Sequence, residues 1–197
     1  MVSGVTETSD NGLPYFDSEQ EFQDYLEVKF EAEGFDVIQE VSPHGSRYRA
    51  DLLLLHDEYG PIGMELKRLT GGTDAGKAHQ QIVRQYSGRK YIGRKVKKWV
   101  FAPYMPKLQY DLDTEGRTDK FQRGKLEVLE HFFQAYGIGV LNVHSRPYAR
   151  IKWGANRTHM LPAFGMAREI YEPDYDLDSI EERIATRLYE VTSYGDI

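Results

Sequence analysis

The chain has 197 residues, a hydrophobic share of 40%, no cysteine and a net charge of −6. This length suits one α/β domain with at most a small appendage, and the missing cysteines exclude disulfides, thiolate metal sites and cysteine nucleophiles. No apolar run approaches the roughly 18 residues that span a bilayer, and Met1 to Asp10 lacks the basic start and apolar core of a signal peptide. The expectation is therefore a cytoplasmic protein with no membrane partner.

Residues 1–16 read as a flexible leader, rich in Ser, Thr, Gly and Asp. A helix is predicted from Ser18, with Glu21 completing a capping box, Phe22, Leu26 and Phe30 forming an apolar stripe, and Gly34 as the stop. Phe35 to Val41 reads as a strand. After a loop at Ser42–Ser46 come Arg49-Ala50-Asp51-Leu52-Leu53-Leu54-Leu55, a branched apolar run headed by an acid, and Ile62-Gly63-Met64-Glu65-Leu66-Lys67. The polar stretch His56 to Pro61 between them ends in Gly-Pro and reads as a turn. Folded near Glu58 and Tyr59, this hairpin puts Asp51 across from about Leu66. Glu65 and Lys67, two residues apart, share a strand face. Two carboxylates and an ammonium then converge at one end of the hairpin. Unpaired charge inside a sheet is costly, so the convergence points to a metal site for phosphate chemistry. The bland alternative is an exposed Glu65–Lys67 pair with Asp51 as a strand-start residue.

A second helix is predicted over Lys77 to Tyr91, followed by a basic turn, and Trp99 to Ala102 is predicted as a buried strand ended by Pro103. Residues 104–118 read as a loop or lid. A third helix is predicted over Asp119 to Tyr136, then a strand over Gly137 to Val143 and a further, exposed strand over Ala149 to Trp153. A last helix is predicted from about Asp178 to Val191. The domains are thus a leader at 1–16, an α/β domain at 17–153 with a mixed central β-sheet flanked by helices, and a C-terminal helical extension at 154–197 that packs on the domain or serves assembly.

Charge is unevenly spread. Residues 1–43 carry eleven acids against one base, whereas residues 44–125 carry seventeen bases against nine acids. No acid occurs from Ala75 through Tyr110. Lys77, Arg84, Arg89, Lys90, Arg94 and Lys95 in that stretch are the candidate contacts to a polyanion, the alternative being a solvated face that balances the acidic ends.

Helix, strand, Asp51 heading an apolar strand, Glu65-Leu66-Lys67 on the next strand and then a Gln-bearing helix resemble the PD-(D/E)XK nuclease superfamily over residues 17–103. The position before the acid, often Pro in that family, is Ala50 here. The resemblance implies a restriction-endonuclease-like core and Mg²⁺, with Mn²⁺ expected to substitute. Asp51, Glu65 and the Leu66 carbonyl would hold the ion, and Lys67 would orient or activate the attacking water. Gln81 and Gln85, at i and i+4, would touch the attacking water or a DNA phosphate. Tyr86 lies five residues after Gln81, so the family's Gln-X-X-X-Tyr submotif is not matched. Relatives place a Glu of the first helix near the metal, and Glu19 is chosen from the Glu19–Gln23–Glu27 face because Glu21 serves as a cap. Arg47 and Arg49 would grip a phosphate or simply face solvent. The implied activity is a Mg²⁺-dependent deoxyribonuclease, an endonuclease rather than an exonuclease, leaving a 5′-phosphate and a 3′-hydroxyl. A homodimer is left open. The alternative is a catalytically silent nucleic-acid-binding or assembly protein on the same fold. An enzyme of small-molecule metabolism ranks last for want of a cofactor fingerprint.

Overall fold

The computed structural model describes residues 13–70, 74–115, 120–144, 149–154 and 156–164. The last predicted helix and most of the leader lie outside these residues. The chain is mixed α/β. Helix α1 spans Glu19–Ala32, and Ser18 caps it by accepting from the Glu21 amide at 3.1 Å, while the Glu21 carboxylate accepts from the Asp17 amide at 2.7 Å. The Ser18 bond satisfies one donor that a helix start leaves orphaned, while Glu21 reaches back past the cap residue to Asp17, one residue further than in a reciprocal capping box. Strands β1 (Asp36–Val41), β2 (Ala50–Leu55) and β3 (Ile62–Arg68) follow as an antiparallel meander.

Helix α2 spans Asp74–Gln80 and continues as a π-helical turn over Gln81–Tyr86, in which the Ser87 amide donates to the Ile82 carbonyl at 2.9 Å. The helix predicted to reach Tyr91 therefore stops at Tyr86. The basic segment beyond it is a hairpin, β4 (Lys90–Tyr91) and β5 (Arg94–Lys95), rather than a simple turn.

Strand β6 (Lys98–Tyr104) runs through Pro103, which reads as a stop in the sequence. Strand β7 (Gly139–Asn142) pairs with β6 only at Val100 and Phe101. At Pro103 one side of β6 is thus unpaired, the situation in which a strand tolerates a residue without an N–H. The expected loop at 104–118 contains helix α3, Pro106–Glu115. Pro106 opens it, because the first helical position needs no N–H donor. Helix α4 (Lys120–Gln134) leads into β7.

Strand β8 (Ala149–Gly154) was expected to be exposed, but Ala149 and Ile151 are buried in the core. An unpredicted strand β9 (Arg157–Leu161) pairs with β8, and a 3₁₀ turn at Pro162–Phe164 follows. The sheet therefore continues past residue 153. At the other end, Leu13 and Phe16 of the expected leader pack into the core.

The seven-stranded sheet has the order β1-β2-β3-β6-β7-β8-β9, parallel at β3–β6 and β6–β7 and antiparallel elsewhere. One face packs Leu52, Leu54, Met64 and Leu66 against Phe22, Leu26 and Phe30 of α1. The other packs Leu53, Trp99 and Phe101 against Ala78, Ile82, Tyr86 and Phe133. Burial of each large apolar side chain contributes about 1.5–3 kcal/mol. No helix among the described residues is long and apolar enough to cross a membrane.

Candidate metal centre

The β2–β3 ladder runs Leu54↔Ile62, Leu53↔Gly63, Leu52↔Met64 and then stops. That register centres the hairpin on Glu58, and its continuation sets Asp51 opposite Glu65 instead of Leu66, a shift of one residue from the expectation. The strands part at the very residues that carry the acids. Asp51 fills the gap: its carboxylate accepts from the Leu66 amide at 2.6 Å. Its carbonyl, left without a strand partner on β3, accepts from Gln23 Nε2 at 3.0 Å. On the other side of β2, pairing with β1 skips Glu40, which adopts a left-handed φ of 51°. Asp51 is thus held by a side chain of α1 and an amide of β3, both specific to this spot.

Glu65 and Lys67 alternate with Met64 and Leu66, whose side chains enter the α1 layer. The charged pair therefore projects from the opposite face, under the π-helical turn. Glu65 is fully buried, and neither of its oxygens meets a donor in good hydrogen-bond geometry. The Lys67 ammonium lies 3.3 Å from one of them and 2.9 Å from Glu19 on α1. Glu19 also accepts from the Arg68 amide at 3.1 Å. The structure thus brings Asp51, Glu65, Lys67 and Glu19 to one end of the sheet, with Lys67 between Glu19 and Glu65.

Burial raises the Asp51 carboxyl above the ordinary carboxylate range, opposed by the Leu66 amide and the Lys67 charge. Burial raises Glu65 further, and the Asp51 charge adds to it. For Lys67 burial acts downward, but Glu65, Glu19 and Asp51 outweigh it and hold the ammonium above its usual value. Desolvation is the first cause of both shifts, and the single Lys67 ammonium offsets it only in part for the fully buried Glu65 and the half-buried Asp51. The donor set suits a hard cation: carboxylate oxygens of Asp51 and Glu65 and the Leu66 carbonyl, with water completing the shell. Among the described residues no three acid or histidine side chains gather closely enough to hold an ion by themselves. Two carboxylates suffice for Mg²⁺, which keeps most of its waters.

Tyr86 falls five residues after Gln81, a spacing that an α-helix does not bring together. A π-helical turn returns at about i+5, and here the Gln81 amide donates to the Tyr86 hydroxyl at 3.1 Å. The buried Tyr86 hydroxyl faces Glu65, and burial followed by the Glu65 charge pushes its pKa up. Trp99, stacked on Tyr86 at 5.3 Å between centroids, lies over Gly63, where an added Cβ would come within 2.4 Å of the indole. Gly63 is therefore the residue that admits the aromatic lid over the site. Gln23, Tyr86 and Trp99 stand around these acids, although the sequence assigned none of them to the site. The one signal for Gln23 was its place four residues after Glu19.

The nucleic-acid candidates are scattered in standing. Arg49 pairs with Glu40 at 3.0 Å and Lys77 with Asp74 at 3.5 Å. Arg47 is exposed, its guanidinium 5.3 Å from the Tyr48 ring centre. Arg84, Arg89, Lys90, Arg94 and Lys95 are exposed and form no ion pair among the described residues, and Gln85 is half-buried. No protein-family model, no curated protein and no solved structure matches the chain.

Proposed function

We propose that the chain is a Mg²⁺-dependent nuclease that hydrolyses phosphodiester bonds in DNA, built on a restriction-endonuclease-like core of the PD-(D/E)XK kind. The observation that supports this reading is the fully buried Glu65 beside Asp51 and Lys67, at the point where two paired strands separate. A structural ion pair accounts for one carboxylate beside Lys67 but not for the convergence of a second, Asp51, on the same end of the strands, where desolvation opposes the ionisation of both. A divalent ion at Asp51, Glu65 and the Leu66 carbonyl would balance that charge, acidify water and neutralise charge developing on the attacked phosphate. Lys67, held in place by Glu19, would align the water and stabilise the transition state through its ammonium. Gln23 keeps Asp51 in position from behind, while the buried Tyr86, accepting from Gln81, borders Glu65.

The exposed cations after Tyr86 would follow the phosphate backbone, and such contacts make affinity fall steeply with salt. The test is cleavage of plasmid, linear duplex, single-stranded DNA and RNA with Mg²⁺, run with Asp51→Asn and Lys67→Ala variants. Loss of either group should lower cleavage by about 10²-fold or more, the scale of positioned acid–base and electrostatic catalysis. Equal rates in wild type and Asp51→Asn would defeat the assignment. Mg²⁺ binding by titration calorimetry separates this reading from a silent DNA-binding protein, in which the metal would not bind.

A further inference from the structure

We propose that the β4–β5 hairpin is a duplex-gripping arm whose tip residue, Ile92, wedges between stacked base pairs while Arg89, Lys90, Arg94 and Lys95 hold the flanking phosphates. The proposal rests on the reading that the substrate is DNA and adds how the substrate is held. The hairpin is built on the sequence Arg89-Lys90-Tyr91-Ile92-Gly93-Arg94-Lys95. Its two-residue turn has positive φ at both centres, 49° at Ile92 and 74° at Gly93, which is a type I′ turn. That turn favours Asn or Gly at the first centre, and a β-branched residue there is strained.

The same isoleucine is 58% exposed. It therefore gains little from burial to offset the strain. A second local rule is broken beside it: Lys90 and Lys95 face each other across the ladder, and directly opposed like charges destabilise a pair of strands. None of the four cations has an ion-pair partner among the described residues, in a chain whose net charge is −6. Strain, exposed apolar surface and uncompensated repulsion coincide in one hairpin. A ligand offering both phosphates and stacked apolar rings would relieve all three together, and duplex DNA is that ligand. Isoleucine is among the side chains that open base steps in this way.

The base of the hairpin is packed into the core. Tyr91 and Val96 are each 1% exposed, and the Tyr91 ring meets Trp99 edge-on at 5.7 Å. Trp99 is the residue that lies over Gly63 and stacks on Tyr86, so the arm is fixed to the layer that covers Glu65. An open cleft of about 520 Å³ beside the tip, lined by Ser42, His44, Lys90, Ile92 and Gly93, leaves room for a strand to pass. A lipid surface fits less well, because one isoleucine supplies only about 1.5–3 kcal/mol of burial and stable anchoring takes more.

The test uses the full chain carrying Asp51→Asn, so that DNA is bound without being cut, and a duplex containing 2-aminopurine. Binding should raise the 2-aminopurine fluorescence severalfold as its neighbour is unstacked. Adding Ile92→Gly should abolish that rise and weaken binding about tenfold, the value of one buried isoleucine. The same variant should melt no lower than its parent, because glycine adopts this φ freely, so misfolding cannot account for the loss. Arg94→Ala with Lys95→Ala should flatten the salt dependence of log affinity by about two units of slope. Binding without a fluorescence rise, or a rise that survives Ile92→Gly, overturns the wedge, and Mg²⁺-dependent cutting by the native chain would still stand. Unstacking that depends on Ile92 without any Mg²⁺-dependent cutting supports the wedge and defeats the nuclease reading. Binding confined to single strands or to anionic vesicles overturns the proposal.

Discussion

Replacing Glu65 by Gln separates the cost of this side chain to the fold from its use. The substitution keeps the shape and removes the charge. In the metal-free protein, burial first and Asp51 second lift the Glu65 carboxyl from 4.5 to about 8. An acid raised on folding binds more protons in the native than in the unfolded state, so its contribution to stability falls as pH rises through that window. Well below 4.5 Glu65 is neutral in both states. At pH 8 folding must bury a carboxylate that the unfolded chain leaves solvated. A tenfold change in proton affinity is worth about 1.36 kcal/mol, so even half of this rise opposes folding by about 2 kcal/mol. Gln imitates the neutral acid at every pH. In EDTA, calorimetric melting should therefore show wild type and Glu65→Gln within about 1 kcal/mol of each other at pH 5. At pH 8 the variant should melt higher by about 4–8 °C, using about 2–4 °C per kcal/mol for a chain of this size. Mg²⁺ should reverse the order, because an ion bound only by the native wild type adds about 2.7 kcal/mol at a hundred times its dissociation constant. Cleavage by the variant should fall to background. A variant less stable than wild type at pH 8 in EDTA, or equal stabilisation of both by Mg²⁺, would refute the reasoning.

Gly63→Ala would drive a methyl into the Trp99 ring and should cost about 1–3 kcal/mol, read as a lower melting temperature; an unchanged melt would show that the indole is free to move aside. Gln23→Leu removes the donor to the Asp51 carbonyl and should cost about 1–3 kcal/mol while lowering kcat more than it raises KM; unaffected kcat would show that Asp51 does not depend on α1. Tyr86→Phe deletes the hydroxyl that accepts from Gln81, and cleavage should fall about tenfold for a destabilisation within about 1.5 kcal/mol. Full activity there would remove Tyr86 from the site.

The elements around the acids were legible because each carries a local signature that the fold does not override. Ser18 and Glu21 mark the start of α1, the 22–26–30 stripe marks its buried face, and the Gly60-Pro61 turn marks the hairpin. What misled was punctuation read without its context. Pro103 looked like the end of a strand, but β6 has a free side there. Pro106 looked like loop and instead begins α3. The one-residue error in hairpin register has the same origin, since nothing in His56 to Pro61 distinguishes a centre at Glu58 from one between Glu58 and Tyr59. Only cross-strand packing of Leu52 and Leu54 with Met64 and Ile62 decides it.

The separation of Gln81 and Tyr86 was illegible for a deeper reason. Counting in steps of 3.6 places a residue at i+5 well away from its partner, so the sequence argued against their meeting. The π-helical turn changes the count, and its cause is tertiary. Ile82 and Tyr86 both enter the layer that contains Trp99, and Trp99 reaches across only because position 63 has no Cβ. One extra residue between Ala78 and Tyr86 is accommodated by widening the helix, which keeps both apolar anchors buried. Restoring an α-helical turn by deleting Val83, which is exposed, would shorten the Gln–Tyr spacing to four. Two residues that now touch should remain in contact in that variant, leaving stability and activity close to wild type. Deleting Ile82 instead would remove an anchor and lower the melting temperature by the cost of an emptied core position, about 2–5 kcal/mol. A loss of activity on deleting Val83 as large as that on replacing Tyr86 would show that the wide turn itself, and not the pairing it permits, is what the site requires.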